Sequence, residues 1–209
     1  MIKNSGLSVN GCTFVIRMQN QETHRIYLGL GSNQGNREMM LAKALDFLSR
    51  EGCNIVTVSS LYETEAWGYN SDHSYLNLCT FAVTTLEPHA VLDLLLKAEK
   101  ILGRVREGTG YTDRPIDIDL LYYDDLVMES PELVLPHPRI YGRNFVLFPL
   151  AEIAPDLVDP RKEVTVADLL KLCNDESVIR KLALNKEIIP EHVEKSVKKG
   201  PDEIGGDHV

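Results

Sequence analysis

The spacing of apolar and polar residues predicts a sheet with two helices packed on it. Apolar side chains recur at helical intervals over residues 37–49 and again from Pro88, whose missing N–H costs little at the start of a helix. Strand-like runs of β-branched and aromatic residues occupy 26–31, 55–62, 75–86 and 116–123. The resulting β-α-β-β-α-β order is typical of an α+β, ferredoxin-like sandwich whose sheet is mainly antiparallel.

The pattern is weaker downstream of these elements. Short apolar runs at 126–128 and 133–135 precede a segment rich in Pro and Arg that ends at Pro149, and no element is predicted for that segment. Residues 166–172 return to helical spacing and predict a short helix.

The chain is predicted to be one domain with two extensions. Residues 1–24 lack sustained periodicity and are interpreted as an N-terminal extension, and 25–175 are assigned to the folded domain. Lys, Glu, Asp, Gly and Pro dominate the end of the chain, so 176–209 are expected to form a polar, mobile tail. Residues 63–74 and 107–113 are predicted to be long loops, which often carry function.

Composition and charge narrow the classes of function. A net charge of −9 predicts a surface that repels nucleic acid, so clustered arginines indicate a local anion site. The four cysteines are widely spaced without a C-x-x-C pair, which argues against a zinc site and against a disulfide framework. No apolar run approaches the roughly 18 residues needed to span a bilayer, and no secretory signal is found. We therefore expect a cytoplasmic protein with no membrane partner.

Two carboxylates, Asp117 and Asp119, lie two residues apart within an apolar run. Because residues i and i+2 of a strand point to the same face, these side chains should project together and repel each other. A hard cation relieves that repulsion, and Mg²⁺ is typically held by one or two carboxylates together with substrate phosphates. Arg104, Arg106 and Arg114 lie close by in the sequence and suit bidentate phosphate contact. The alternative is an exposed edge strand with solvated aspartates.

Several sequence pieces then point to a family when they are taken in their order. They are Leu-Gly-Ser-Asn at 30–33, Ser-Ser-Leu-Tyr-Glu-Thr at 59–64, Tyr-Leu-Asn at 75–77, Glu99 with Gly-Arg-Val-Arg at 103–106, Asp-Arg-Pro-Ile-Asp-Ile-Asp-Leu-Leu at 113–121, Leu-Pro-His-Pro at 135–138 and Gly-Arg-Asn-Phe at 142–145. Over about residues 26–159 the chain resembles the 6-hydroxymethyl-7,8-dihydropterin pyrophosphokinases of folate biosynthesis. These enzymes transfer diphosphate from ATP to the hydroxymethyl group of the reduced pterin and release AMP.

The resemblance implies an ATP-dependent diphosphotransferase with two Mg²⁺ ions held by Asp117 and Asp119. It implies catalytic roles for Arg106, Arg114, Asp117 and Asp119. The residues implied to bind ATP are Glu99, Arg104, Arg106, Arg114, His137 and Arg143. The residues implied to bind the pterin are Thr64, Trp67, Tyr75, Asn77, Asp117 and Phe145.

The pterin assignments agree with the chemistry of the ligand. Pterin is a flat bicycle with donors and acceptors along one edge, so it requires aromatic walls and an amide side chain. Asn77 can both donate and accept hydrogen bonds. Four residues depart from the family's pattern, namely Trp67, Glu107, Tyr111 and Pro138. We expect these departures to alter affinity or loop kinetics and to leave activity intact.

Two alternatives remain open at this point. One is a ferredoxin-like module that binds nucleotide or pterin without turnover, and the other is a different magnesium-dependent transferase on the same fold. The intact arginines and aspartates favour an enzyme, and Asn77 with Trp67 and Phe145 favours a pterin acceptor. ATP and the reduced pterin are the expected partners, with no nucleic acid, and the chain is expected to be a monomer or a weak homo-oligomer.

Overall fold

The computed structural model describes residues 22–104, 112–183 and 188–189, together with the backbone of two short strands near the N-terminus. The strands are β1 Ser8–Val9, β2 Cys12–Thr13, β3 His24–Ser32, β4 Cys53–Val58, β5 Leu61–Thr64, β6 Tyr75–Thr84, β7 Asp117–Tyr123, β8 Met128–Glu129, β9 Val134–Leu135 and β10 Ile179–Leu182. The helices are α1 Arg37–Arg50, α2 Pro88–Ile101, α3 Asn144–Ile153 and α4 Val166–Leu172, with a 3-10 turn at Ile140–Gly142.

The main sheet is antiparallel, with β3 between β6 and β7. Both β4 and β5 pair with β6, and β10 adds to the outer edge of β5. Helix α1 connects β3 to β4, and α2 connects β6 to β7. The predicted α+β, ferredoxin-like sandwich with a mainly antiparallel sheet is therefore confirmed.

Strand alternation separates two apolar layers. On one face, Leu28 of β3 and Ile118 of β7 join the core that α1 and α2 complete. On the other face, Leu121 of β7 packs with Leu147 and Leu150 of α3. Because side chains alternate along β7, Asp117 and Asp119 point to the same face of the sheet as Leu121, which packs against α3. The acidic pair is therefore placed at the end of the sheet on the α3 side.

The predicted strand at 55–62 is wrong in detail, because it forms two strands with a break at Ser59 and Ser60. The hydroxyl of Ser59 accepts a hydrogen bond from the N–H of Cys79 at 3.0 Å, while the N–H of Ser59 donates to the Cys79 carbonyl at 2.9 Å. A serine side chain can compete with regular sheet bonding in this way. Strand β5 then continues to Thr64, so the predicted loop begins later than expected.

Helix α3 was not predicted, because Pro149 lies within it. A proline in a helix interior removes one hydrogen bond and is unfavourable. Leu147 and Leu150 are fully buried against the sheet. Burial of this apolar face compensates for the cost of the proline, a balance that local sequence does not reveal.

Part of the segment expected to be a mobile tail belongs to the sheet. Ile179 lies opposite Thr64 and Leu182 lies opposite Leu61 in the β10–β5 pair, and Ile188 is buried. Strand β10 thereby covers the free edge of β5. The described fold thus extends beyond the boundary placed at residue 175.

Three cysteines, Cys53, Cys79 and Cys173, have side chains that the structure describes, and all three carry free thiols. Burial raises the pKa of the Cys53 thiol to about 11. Within the same residues, no helix combines the length and the apolar character needed to cross a bilayer.

Candidate active site

A pocket lies at one end of the sheet, beneath the start of α3. Its empty space, including open solvent at the mouth, is about 640 Å³. The residues assigned from the sequence that line it are Thr64, Trp67, Tyr75, Asn77, Arg114, Asp117, Asp119, Arg143 and Phe145. The fold therefore brings together residues that are up to 81 positions apart, from Thr64 to Phe145.

The acidic pair faces this pocket from the start of β7. Arg114 Nη1 donates to Asp117 Oδ2 at 2.8 Å, and Arg104 donates to Asp117 Oδ1. The negative charge of Asp119 is less well balanced by nearby arginines. Burial together with the charge of Asp117 raises the pKa of Asp119 to about 6. A half-buried carboxylate beside a second carboxylate is a suitable place for a hard cation.

No group of three or more His, Cys, Asp or Glu side chains in the described residues is arranged to hold a metal ion. Two carboxylates alone still fit Mg²⁺, because this ion usually retains waters and takes phosphate oxygens as further ligands. The donor set of Asp117 and Asp119 therefore fits a phosphate-dependent magnesium site better than a closed structural metal site.

Glu99 and Arg104 do not line the pocket but lie directly behind the acidic pair. Glu99 is 2% exposed and accepts hydrogen bonds from Arg104 and, at 2.9 Å, from the N–H of Ile118. Since a buried carboxylate needs such partners, this arrangement holds Arg104 against Asp117. Arg106, the other arginine of this group, lies outside the described residues.

His137 also lies behind the lining of the pocket, with Nε2 at 3.8 Å from Asp119 Oδ1. Burial, followed by the charges of Arg143 and Arg139, lowers the pKa of His137 to about 4. The imidazole is therefore neutral near pH 7. The N–H of His137 donates to the carbonyl of Leu121 at 2.9 Å, which fixes this segment beside β7.

Arg143 is buried between two aromatic rings. Its guanidinium carbon lies 5.0 Å from the ring centroid of Trp67 and 5.4 Å from that of Phe145, both within reach of a cation–π contact. Arg143 immediately precedes α3, and Phe145 lies in its first turn. The helix that sequence reasoning missed therefore positions two of the predicted site residues.

Asn77 projects into the pocket from β6, with its amide oriented by β5. Its Nδ2 donates to Thr64 Oγ1 at 3.0 Å. Gly31 lies opposite Asn77 across the sheet, and a Cβ at this glycine would lie only 2.9 Å from Asn77 Oδ1. A side chain at position 31 would therefore have to displace the Asn77 amide.

Some lining residues were not singled out from the sequence, among them Glu65, Tyr69, Cys79 and Val146. Tyr69 OH lies 2.8 Å from Tyr75 OH, so it extends the polar edge of the pocket. In the sequence, only the predicted loop at 63–74 indicates that Tyr69 could belong to a functional site. Of the departures from the family's pattern, Trp67 lines the pocket, while Glu107 and Tyr111 fall outside the described residues.

Sequence comparisons agree with this geometry. A sequence model of the 7,8-dihydro-6-hydroxymethylpterin-pyrophosphokinase (HPPK) family matches residues 27–155. A 2-amino-4-hydroxy-6-hydroxymethyldihydropteridine pyrophosphokinase of Porphyromonas gingivalis is 42% identical over 133 residues, which make up 62% of this chain and 90% of that protein. The protein of the same name from Methylorubrum extorquens is 46% identical over 135 residues, covering 64% of this chain and 85% of that protein.

Solved structures show the same fold. The wild-type HPPK-DHPS of Plasmodium falciparum with pterin and p-hydroxybenzoate superposes with a TM-score of 0.60 at 16% identity, covering 73% of this chain. The chain spans 43% of that protein's length, so the similarity concerns one part of it. Together with the family match over more than half of its length, these relatives show that the chain belongs to the 7,8-dihydro-6-hydroxymethylpterin-pyrophosphokinase family.

Proposed function

We propose that this chain transfers a diphosphate group from ATP to the hydroxymethyl oxygen of 6-hydroxymethyl-7,8-dihydropterin, in folate biosynthesis. The hydroxyl oxygen of the pterin attacks the β-phosphorus of ATP. The bond from that phosphorus to the oxygen bridging it to the α-phosphate breaks, AMP leaves, and the hydroxyl proton is released. The products are AMP and the pterin diphosphate.

The observation that supports this proposal best is the composition of one pocket. It combines an amide and aromatic side chains for a flat heterocycle with two carboxylates and two arginines for a metal-bound polyphosphate. A pocket for binding pterin alone has no need of the acidic pair. The combination supports transfer between two bound substrates.

Asp117 and Asp119 are proposed to hold two Mg²⁺ ions, the number that the family resemblance implies. When bound, such ions stabilise negative charge on the attacking and leaving oxygens of an in-line displacement. Arg104, kept in place by Glu99, is proposed to balance the charge of Asp117. Glu99 is thus assigned to the ATP site as a positioning residue.

Arg114 and Arg106 are proposed as the catalytic arginines, acting on the phosphates as charge shifts during transfer. Phosphoryl transfer depends on positioning and charge stabilisation more than on covalent chemistry. Arg114 lines the pocket and already contacts Asp117, whereas the proposal for Arg106 depends on the family resemblance alone. Arg143 and His137 are proposed as further ATP contacts, His137 as a neutral hydrogen-bonding group.

The pterin is proposed to stack on the aromatic side chains, with its polar edge toward Asn77, after the guanidinium of Arg143 has turned from between the two rings toward the ATP phosphates. Trp67 and Phe145 provide the stacking surfaces, and Thr64 orients the Asn77 amide. Tyr75 completes the polar edge. Asp117 is also assigned to the pterin site, because it lines the pocket and would lie near the hydroxymethyl group of the bound pterin.

The direct test is AMP release by the purified chain with ATP, Mg²⁺ and 6-hydroxymethyl-7,8-dihydropterin, beside a control without pterin. We expect AMP to form only when pterin is present. Formation of ADP would indicate a simple kinase and contradict the proposal. Binding of both ligands without AMP would support the alternative of a non-catalytic nucleotide- and pterin-binding module.

A further inference from the structure

We propose that Asp113 is a positioning residue that links the pterin wall to the catalytic Arg114. This inference rests on the proposed function. It concerns the segment between β5 and β6, here called the 65–74 segment, and the residue that immediately precedes Arg114. None of the site assignments made above includes Asp113.

The carboxylate of Asp113 collects hydrogen bonds from several parts of the chain. Its Oδ1 accepts from Ser71 Oγ at 2.7 Å, from Tyr69 OH at 3.0 Å and from Asn33 Nδ2 at 2.7 Å. Its Oδ2 lies 3.0 Å from His73 Nδ1. The contacts come from two regions of the chain, the 65–74 segment and the end of β3.

These hydrogen bonds favour the charged carboxylate. The bond from Ser71, with further bonds from Asn33, Tyr69 and His73, lowers the pKa of Asp113 despite partial burial. Hydrogen bonds to an ionised acceptor are stronger than those between neutral groups. Asp113 therefore holds the 65–74 segment more firmly than a neutral amide could.

Asn33 extends the link to the backbone of Arg114. Its Oδ1 accepts from the N–H of Arg114 at 2.7 Å, and its own N–H donates to the Arg114 carbonyl at 3.3 Å. Asn33 is buried and directly follows Ser32, the last residue of β3, so the end of that strand holds it in position. The backbone of Arg114 is thereby fixed beside Asp113.

The same network reaches the pocket through Tyr69. Its hydroxyl contacts Asp113 and lies 2.8 Å from Tyr75 OH, and both tyrosines line the pocket. Arg114 also lines the pocket and contacts Asp117. Loss of the Asp113 charge should therefore disturb both the pterin wall and the placement of Arg114.

The test compares Asp113→Asn with Asp72→Asn as a matched control. Asp72 is exposed on the same segment and has no hydrogen-bond partner within the part of the chain that the structure describes. For Asp113→Asn we expect a KM for pterin about 10-fold higher and a kcat about 10-fold lower, because each lost charged hydrogen bond is worth about a factor of 10 or more. The KM for ATP should change by less than about 3-fold, and Asp113→Glu, which keeps the charge, should recover part of both losses.

A merely structural role would lower the thermal midpoint and leave kcat and both KM values of the folded fraction unchanged. That result, or equal behaviour of the Asp113 and Asp72 variants, would overturn the inference. A double-mutant cycle with Ser71→Ala adds a second criterion, because the effects of substitutions at two residues in direct contact are not additive. The combined loss should be clearly smaller than the product of the two single losses, and a simple product would contradict the link.

These outcomes are separate from a failure of the proposed function. If the unaltered chain forms no AMP, the proposed function fails. The link can still be tested by pterin fluorescence, which measures the dissociation constant of the pterin for Asp113→Asn and Asp72→Asn. A weaker pterin complex for Asp113→Asn alone supports the link, and equal constants overturn it.

Discussion

The guanidinium of Arg114 donates a hydrogen bond to the carboxylate of Asp117 over 2.8 Å. One residue is assigned to phosphate and the other to a metal ion, yet they neutralise each other directly. A cation bound at Asp117 and the guanidinium of Arg114 compete for the same carboxylate charge. Binding of a metal–nucleotide complex should therefore redirect Arg114 toward phosphate, which makes both residues sensitive positions for mutation.

Asp117→Asn and Asp119→Asn should each lower kcat by about 100-fold or more, because each removes charge needed to hold the metal and to stabilise the transition state. AMP release at saturating ATP and Mg²⁺ measures this effect, and circular dichroism verifies folding. Asp125→Asn provides the control, since Asp125 is an exposed residue beyond the far end of β7. Rates near normal in a folded Asp117 or Asp119 variant would refute the assignment of the metal site.

Arg114→Ala should lower kcat by about 100-fold while it changes the pterin dissociation constant by less than about 3-fold. The reason is that its charge matters most where charge develops during transfer. Stopped-flow rates and pterin fluorescence separate the two quantities. Arg50→Ala, at the exposed end of α1, should behave like the unaltered chain, and an equal loss of binding and rate in Arg114→Ala would count against a catalytic role.

Gly31→Ala should weaken pterin binding by about 10-fold, which corresponds to about 1.4 kcal/mol. The added Cβ would lie 2.9 Å from Asn77 Oδ1, so the amide must shift away from its place in the pocket. Gly142→Ala is the matched control, because no atom lies within 4 Å of a Cβ built there. Isothermal titration with pterin measures both variants, and unchanged binding in Gly31→Ala would argue against Asn77 as the residue that contacts the pterin.

Glu152 should stabilise the fold in a pH-dependent manner. It accepts hydrogen bonds from the N–H and hydroxyl of Ser60 and from Tyr62 OH, and Lys181 Nζ lies 3.2 Å away. Burial raises the pKa of Glu152, but the bonds from Ser60 and Tyr62 outweigh it and leave the pKa below its usual value of 4.5. A carboxylate with a lowered pKa stabilises the folded state above its unfolded pKa and loses that effect as pH falls through the folded pKa.

Glu152→Gln should therefore lower the free energy of unfolding by about 1 kcal/mol at pH 7. The difference from the unaltered chain should persist to about pH 5 and shrink toward pH 3, below the usual pKa of the group. Urea unfolding at the three pH values measures it. Glu132→Gln, at an exposed residue, should show no such trend, and a difference that stays constant with pH would contradict the assignment to the Glu152 charge.

The local pattern of apolar and polar residues was sufficient to predict the helices and strands that bury one face. The alternation around Asp117 and Asp119 placed both side chains on one face of a strand, and the apolar spacing after Pro88 predicted α2 correctly. It failed at α3, where Pro149 argues against a helix unless the burial of Leu147 and Leu150 is known. Propensity is a weak prior that tertiary packing can override.

By itself, the sequence determined the sheet-and-helix order, the shared face of the acidic pair and the family, because these depend on residue types at short spacing and in a fixed order. Only the tertiary structure decided that Glu99 holds Arg104, that Arg143 lies between two aromatic rings, that β10 covers β5, and that Asp113 links two segments. Each of these contacts joins residues whose proximity depends on how the whole chain buries its apolar surface. No local pattern identifies the partner in such a contact, because many groups in the chain could neutralise the same charge or pair with the same strand edge.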